Sequence, residues 1–184
     1  MKNALILHGT QGSPRTNWFQ WLKKELEKKG YKVWVPKLPK PEKPRVSRNV
    51  KYIFNNKNWQ FNSESILIGH SSGPATILGL LDELPDEIIV NKCIFISAFT
   101  EDDWEPNVEL FDYNYDFRKI KTKAKKFILI HSDNDPYVPL KQSKDLAVKL
   151  NGKLIMEKGQ GHFNLEKSPQ YKKFPLLLKL IDEI

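Results

Sequence analysis

Five consecutive residues near the middle of the chain could carry nucleophilic chemistry. Residues 69–73 read GHSSG, which matches the pattern G-x-S-x-G with Ser71 at its centre. A nucleophile at a sharp turn from strand to helix has a strained backbone, so the residues two positions away on either side must be small. The flanking glycines meet this requirement for Ser71, whereas the corresponding neighbours of Ser72 are a histidine and a proline. We therefore predict Ser71 as the nucleophile. The alternative is that the glycines only allow close packing of strand on helix and that Ser71 is a helix cap.

A serine hydroxyl is a weak nucleophile at neutral pH and needs a positioned base. The chain has four histidines: His8, His70, His131 and His162. His162 lies in GQGHF after the last predicted strand, and the two glycines before it let this loop fold back over the edge of the sheet. His8 ends the first predicted strand, His131 lies within the fifth, and His70 belongs to the serine turn itself. We predict His162 as the base. No pair of histidines has the spacing of a metal site, so no metal or cofactor is expected.

The base in turn needs a carboxylate on its other ring nitrogen, which fixes the tautomer. The segment HSDNDPYVP offers two candidates, Asp133 and Asp135. Pro136 disfavours helical geometry at the residue before it and so holds Asp135 extended in the loop. We predict Asp135 as the acid. The alternative is that either aspartate only caps the helix that follows.

The negative charge that develops on a substrate oxygen during acyl transfer needs fixed N–H donors. One predicted donor is the backbone amide of Ser72, directly after the nucleophile. The second is the backbone amide of Thr10, in the segment HGTQG after the first predicted strand. The alternative for the start of this segment, His8-Gly9, is a tight turn without a role in chemistry.

These candidates follow short apolar segments that are typical of strands. The predicted strands are Ala4–Leu7, Tyr31–Val35, Ser65–Ile68, Lys92–Ser97, Phe127–His131 and Lys153–Glu157. Strands that are apolar throughout are typical of a parallel sheet covered on both faces. Their alternation with helical patterns predicts a doubly wound six-stranded parallel sheet with helices on both faces. Ligands bind such sheets at the carboxyl ends of the strands, where the candidate residues lie. The chain order serine, aspartate, histidine is that of α/β-hydrolases.

Helical patterns fill the connections between these strands. In NWFQWLKKELEKKG, one helical face carries Trp18, Trp21, Leu22 and Leu26. Other helical patterns are PATILGLLDEL, PLKQSKDLAVKL and, at the end of the chain, SPQYKKFPLLLKLIDEI. The prolines of PKLPKPEKPRVSRNV exclude a regular helix until about Arg45.

One long connection, AFTEDDWEPNVELFDYNYDF, is both acidic and aromatic. Connections of this length within a compact domain are often functional. Trp104 and Phe111 are therefore candidates for lining an acyl pocket. The alternative is that these aromatic side chains only pin the segment to the core.

The composition predicts one domain that spans residues 1–184. The chain is 40% hydrophobic, which is enough for a single core. No apolar segment approaches the ~20 residues of a membrane span, and the first residues lack the pattern of a signal peptide. We therefore expect no association with a membrane. The one cysteine, Cys93, lies in the apolar segment CIFISA and is predicted to be a small buried side chain. Without disulfides, a cytoplasmic location is expected.

The formal net charge of +8 raises the alternative of a nucleic-acid-associated protein. However, the lysines are dispersed over predicted helix faces and loop tips. The chain shows no arginine-rich arm, zinc-finger spacing or aromatic RNA-binding signature. A solvated basic surface is predicted, and no nucleic-acid partner is expected. Salt-sensitive binding to DNA would favour the alternative.

Six segments together resemble the small serine hydrolases of the retinoblastoma-binding protein 9 and YdeN type. They are LILHGTQGSP, NWFQWLKKELEKKGYKVWVPKLP, ILIGHSSGPATILGLL, FISAFT, SDNDPYVP and GQGHF. The resemblance runs essentially end to end, and GHSSG and DPYVP are its most specific parts. It implies an α/β-hydrolase fold with little or no cap domain, a Ser71–Asp135–His162 triad and esterase-like activity. HGTQG is less glycine-rich than in some relatives, and the segment after Phe99 is individual to this chain, so no substrate preference is implied.

These observations predict a carboxylesterase-like serine hydrolase. Its partner would be a small-molecule acyl substrate, an ester, thioester or amide, cleaved through an acyl-enzyme on Ser71. The alternative is a protein-interaction module on a hydrolase scaffold with weak or vestigial activity, since a fold does not fix a function. Nothing in the sequence indicates a protein partner.

Overall fold

The computed structural model describes residues 1–100 and 109–183. Within these residues six strands form one sheet: β1 Asn3–Leu7, β2 Lys32–Trp34, β3 Ser65–His70, β4 Lys92–Ile96, β5 Phe127–Ser132 and β6 Lys153–Glu157. The strand order is β2-β1-β3-β4-β5-β6, and every neighbouring pair is parallel. The predicted parallel sheet is confirmed, and each predicted strand overlaps the observed one.

Helices cover both faces of this sheet. They are α1 Phe19–Lys28, α2 Val46–Phe54, α3 Gly73–Glu83, α4 Phe117–Ile120, α5 Leu140–Leu150 and α6 Pro175–Asp182, with short 3-10 segments at Glu109–Phe111 and Pro169–Lys172. Successive strand side chains point to opposite faces. Accordingly, Leu5 and Leu7 pack in the cluster that α2, α3 and α5 cover, whereas Ala4 and Ile6 pack in the cluster that α1 and α6 cover. The sheet is therefore doubly wound, as predicted.

The described connections contain single helices or a helix with a 3-10 turn, which leaves no separate cap domain among the described residues. Helix α2 begins at Val46, directly after the proline-rich segment, as expected from the prolines. Cys93 is fully buried in β4, as predicted. No helix within residues 1–100 and 109–183 combines the length and the apolar character needed to cross a bilayer.

The predicted face of α1 is confirmed for Trp18, Leu22 and Leu26, which are fully buried, and Trp21 packs partly buried against the same cluster. Phe19, which was not predicted, is also fully buried in that cluster. One helical prediction needs correction. The C-terminal pattern is not one helix but a 3-10 turn followed by α6. The break falls at Phe174, whose ψ of 76° is not helical, because a residue that precedes a proline is disfavoured in the helical region.

Candidate active site

The predicted site residues converge on the carboxyl edge of the sheet. Ser71 directly follows β3, Asp135 lies in the loop after β5, and His162 lies in the loop after β6. The loop that holds Thr10 follows β1, which is paired with β3. Because all these strands are parallel, their carboxyl ends meet at one edge, and four segments distant in sequence become neighbours.

Ser71 has a left-handed backbone with a φ of 59°. Such a conformation costs about 1–3 kcal/mol for a residue other than glycine and is found mostly where a function requires it. The surrounding contacts explain why small residues flank it. A Cβ on Gly69 would lie 2.6 Å from the backbone nitrogen of Pro74, and a Cβ on Gly73 would lie 2.6 Å from the carbonyl oxygen of Leu7. The turn between β3 and α3 therefore has the steric form expected for a nucleophile.

His162 and Asp135 form a buried pair. The ring Nδ1 of His162 lies 2.8 Å from Oδ2 and 3.0 Å from Oδ1 of Asp135. The side chains are only 7% and 1% exposed, respectively. Burial alone would raise the pKa of Asp135, but hydrogen bonds from His162, Ser97 and the Tyr137 backbone outweigh it and lower the pKa below its usual value. The carboxylate therefore stays ionised and accepts the hydrogen bond from Nδ1–H of His162.

The neighbouring aspartate, Asp133, has a different contact. Its Oδ1 accepts a hydrogen bond of 2.7 Å from the backbone N–H of Gly159. Ser132 Oγ and Asn134 Oδ1 likewise accept the N–H groups of Gln160 and Gly161, each at 2.8 Å. Three successive side chains, from the last residue of β5 and the first two residues of the loop that carries Asp135, thus accept hydrogen bonds from three successive amides of the loop that carries His162. These supporting residues were not recognised from the sequence, although polar SDN directly before Asp135 is the signal that could have indicated them.

The other histidines support loops rather than the pair itself. His70, whose ring lies 4.8 Å from that of His162, donates Nε2–H to the His162 carbonyl at 2.8 Å. Burial lowers the pKa of His70 to about 3, so this ring is neutral at physiological pH. His8 donates Nδ1–H to the Gly9 carbonyl at 2.8 Å, while its Nε2 accepts the Leu38 N–H at 3.1 Å.

His131 lies in β5, as predicted, and donates Nε2–H to the Val138 carbonyl at 3.0 Å. Its ring therefore ties the end of the loop that carries Asp135 back to strand β5, from which that loop departs. With His8 and His70 also engaged by backbone groups, the structure brings one histidine, His162, into contact with the carboxylate of Asp135.

The loop after β1 lies against Ser71. A Cβ on Gly9 would be 2.6 Å from Ser71 Cβ, and Thr10 Oγ1 donates to Ser72 Oγ at 3.0 Å. Among the described residues, the backbone N–H groups of Thr10 and Ser72 have no hydrogen-bond acceptor, whereas those of Ser71 and Gln11 donate to backbone carbonyls. The two amides predicted to bind an oxyanion are therefore unoccupied donors beside the serine.

Comparison with known proteins agrees with this geometry. A family model described as serine hydrolase matches residues 4–183 of the chain. The chain belongs to this serine hydrolase family. Its relatives include the putative hydrolase YdeN of Bacillus subtilis (strain 168), 30% identical over 166 residues, which are 88% of this chain and 86% of YdeN. The serine hydrolase RBBP9 of Rattus norvegicus is 28% identical over 166 residues, which are 87% of this chain and 86% of RBBP9. The predicted family resemblance is confirmed.

Solved structures show the same fold as this serine hydrolase. The crystal structure of the ydeN gene product from B. subtilis superposes with a TM-score of 0.88 at 26% identity, over 98% of this chain and 97% of that one. A predicted CIB-like hydrolase from Thermoplasma acidophilum has a TM-score of 0.69 at 20% identity, over 98% and 84% of the two chains. The α/β-hydrolase fold is therefore established.

The aromatic residues considered for this serine hydrolase have separate outcomes. Trp104 lies outside the described residues. Phe111 is partly buried in the 3-10 turn and packs edge-on against Phe99 at 5.7 Å, so it contacts the core; a role in an acyl pocket stays a prediction. Tyr137, which the sequence reasoning missed, packs edge-on against the His162 ring at 5.0 Å and donates to Glu166 at 2.6 Å. It thereby links the loops that carry Asp135 and His162.

The close approach of Gly9 to Ser71 makes a testable prediction. In Gly9→Ala, the new methyl carbon would lie 2.6 Å from Ser71 Cβ, which is a collision, and 3.1 Å from Ser71 Oγ. A displacement of about 1 Å can cost ~10²-fold in rate, so we expect a loss of that order in kcat. The rate of ester hydrolysis measures the loss, and thermal unfolding shows whether the variant is folded. A folded Gly9→Ala protein with wild-type kcat would show that this loop is not in place beside the reacting group.

Proposed function

We propose that this serine hydrolase is carboxylesterase-like and cleaves a small ester, thioester or amide through an acyl-enzyme on Ser71. The observation that carries the proposal is the buried hydrogen-bonded pair of His162 and Asp135 at the edge of the sheet where the strained Ser71 lies between β3 and α3. A nucleophile, a base and an orienting acid are the groups that acyl transfer requires.

In the proposed reaction, Ser71 Oγ attacks the acyl carbon while His162 Nε2 accepts the hydroxyl proton. Asp135 holds Nδ1–H and stabilises the imidazolium that forms, without itself taking up a proton. His162 then returns the proton to the leaving group as the tetrahedral intermediate collapses to the acyl-enzyme. A water molecule, activated by the same histidine, attacks the acyl carbon and releases the acid and the free serine.

The oxyanion of each tetrahedral intermediate would accept hydrogen bonds from the N–H groups of Ser72 and Thr10. Both amides lack a partner among the described residues, so no existing hydrogen bond has to break when the charge develops. The contact between the two side chains, Thr10 Oγ1 to Ser72 Oγ, ties the loop after β1 to the first turn of α3. Each donor of this kind contributes about 2.7–4 kcal/mol to lowering the barrier.

The acyl group of the substrate would lie near the connection after β4. Trp104 and Phe111 are the proposed lining residues, and Phe99 supports Phe111 from the core side. An aromatic lining favours acyl groups with apolar chains or rings because such groups bury apolar surface on binding.

Two measurements test the proposed function. The first is labelling of the folded protein with a fluorophosphonate probe, followed by peptide mapping of the adduct. We expect one adduct, on the peptide that contains Ser71. The second is a series of chromogenic esters of increasing acyl length, run beside the matching amides. The absence of both an adduct and ester turnover in folded protein would overturn the proposal.

A further inference from the structure

Ser97 is a residue outside the proposed triad whose side chain contacts its acid. It directly follows β4, is fully buried and has a left-handed backbone with a φ of 50°. Its Oγ–H donates to Oδ2 of Asp135 at 2.6 Å, across 38 residues of sequence. Its own N–H donates to the Ile130 carbonyl at 2.9 Å. A buried polar side chain on strained backbone, aimed at a buried carboxylate, is a feature that packing alone does not explain.

The hydrogen bonds of the Asp135 carboxylate show what Ser97 adds. Oδ1 accepts the N–H groups of Tyr137 and Val138, at 2.9 and 3.1 Å. Both donors belong to the same loop as the aspartate and move with it. Among the described residues, the side chains that donate to this carboxylate are those of His162 and Ser97. Ser97 is therefore the contact that fixes this carboxylate relative to the neighbouring strand β4.

We propose that Ser97 is a positioning residue for the reaction, because its hydroxyl holds Oδ2 of Asp135 in the plane that faces His162 Nδ1. This inference rests on the proposed function, since it assigns Ser97 a role in the same site. Two physical effects follow. The hydroxyl stops the carboxylate from rotating about its Cβ–Cγ bond, and it takes up part of the negative charge that would otherwise act on the imidazole alone. A charge-assisted hydrogen bond is about twice as strong as a neutral one, so both effects are substantial.

Several titratable groups face this carboxylate and its partner, and they define what a pH measurement reports. They are His162, His70, His131, Tyr137 and Glu166. Burial is the leading cause that lowers the pKa of both His70 and His131, and it favours the uncharged ring in each. Glu166 keeps its negative charge because the hydrogen bond from Tyr137 lowers its pKa. The acid limb of a pH–rate profile therefore reports the proton on the proposed base.

Two variants separate the hydroxyl from the strained backbone. Ser97→Ala removes the hydroxyl and keeps a Cβ at positive φ, whereas Ser97→Gly removes the hydroxyl and also relieves the strain, since glycine adopts this region freely. We expect both to lower kcat for a chromogenic ester by about ten-fold, as expected for one hydrogen bond to a charged group. KM stays unchanged because Ser97 is fully buried and does not reach the substrate.

The pH profile distinguishes positioning from a merely structural role. Without the Ser97 donor, the full charge of Asp135 acts on the imidazole and favours its protonated form. The acid limb of kcat/KM should therefore move to higher pH in both variants, by about half a pH unit. Ser65→Ala is the matched control, because Ser65 is an equally buried strand serine whose Oγ accepts the Asn62 N–H instead of contacting the site. It should leave the profile unchanged.

A proton NMR measurement completes the test and does not depend on turnover. The Nδ1–H of His162 in its hydrogen bond to Asp135 gives a low-field resonance, which we expect to shift or broaden in Ser97→Gly and Ser97→Ala but not in Ser65→Ala. If both the Nδ1–H resonance and the acid limb of kcat/KM are unchanged in the Ser97 variants, the proposed role of Ser97 is overturned, whatever the loss of kcat. If the wild-type protein hydrolyses no ester and takes no probe but the resonance still responds, the proposed function fails while the positioning of Asp135 by Ser97 stands.

Discussion

Ser71→Ala is expected to lower kcat by at least about 10⁴-fold and to abolish labelling by a fluorophosphonate. Loss of a triad nucleophile elsewhere has cost up to ~10⁶-fold in kcat, and what remains comes from the oxyanion hole and substrate binding. The variant keeps the left-handed backbone at this position with a side chain of similar size, so the fold should be retained. Steady-state hydrolysis of a chromogenic ester, with burst-phase analysis of the wild type, measures the effect.

Ser72→Ala is the matched control for this prediction. It removes the neighbouring hydroxyl and its hydrogen bond with Thr10 but keeps the backbone N–H that the mechanism uses. We expect a loss of no more than about ten-fold, the effect of one side-chain hydrogen bond. If Ser72→Ala were inactive and Ser71→Ala active, the nucleophile would have been assigned to the wrong serine.

A second variant at the same position tests the strain that we attribute to the turn. Ser71 is held at a φ of 59°, which glycine adopts without steric cost. Ser71→Gly should therefore be inactive and yet at least as stable as the wild type in urea unfolding. A variant that gains stability while losing activity is the expected signature of a backbone strained for function.

The features that could be predicted from sequence are those that local patterns determine. Strands β1, β3, β4 and β5 are buried along their whole length, so each appears in the sequence as an apolar segment with polar residues only at its ends. The serine turn was predictable because its steric demand falls on two glycines only two residues away. The sheet topology then placed Asp135 and His162 near Ser71, since parallel strands end at one edge.

The features that could not be predicted depend on contacts between segments distant in the chain. Ser97 appears in the sequence as the end of an apolar strand, and only the pairing of β4 with β5 brings it against Asp135. The role of Asp133 likewise depends on the amide of Gly159, which belongs to another loop. Tyr137 lies in the segment DPYVP, but nothing in that segment signals its contact with His162. Composition and hydrophobic periodicity describe one secondary-structure element at a time, whereas these residues make contacts between elements.

Asp135 contacts His162 and Asp133 contacts Gly159, and this difference leads to the second predicted large effect on kcat. Asp135→Asn is expected to lower kcat by about 10⁴-fold, the loss seen when a triad aspartate becomes an amide. An amide NH₂ turned toward His162 Nδ1 would favour the tautomer with hydrogen on Nε2, which cannot accept the serine proton. Asp133→Asn is the matched control, since its amide oxygen still accepts the Gly159 N–H, and it should keep kcat within a few-fold of the wild type.

The pH dependence of stability provides an independent check on Asp135. Burial raises the pKa of this carboxyl, but the hydrogen bonds from His162 and Ser97 lower it further than burial raises it, so the folded-state pKa lies below its usual value. A depressed pKa contributes stability above the unfolded-state value of about 4, and this contribution is lost as the pH falls through the folded-state value. The wild type should therefore lose stability relative to Asp135→Asn as the pH falls below about 4. Urea unfolding of both proteins at neutral and acid pH measures the difference, and a gap that stays constant with pH would contradict the ionised, hydrogen-bonded carboxylate on which the proposed mechanism depends.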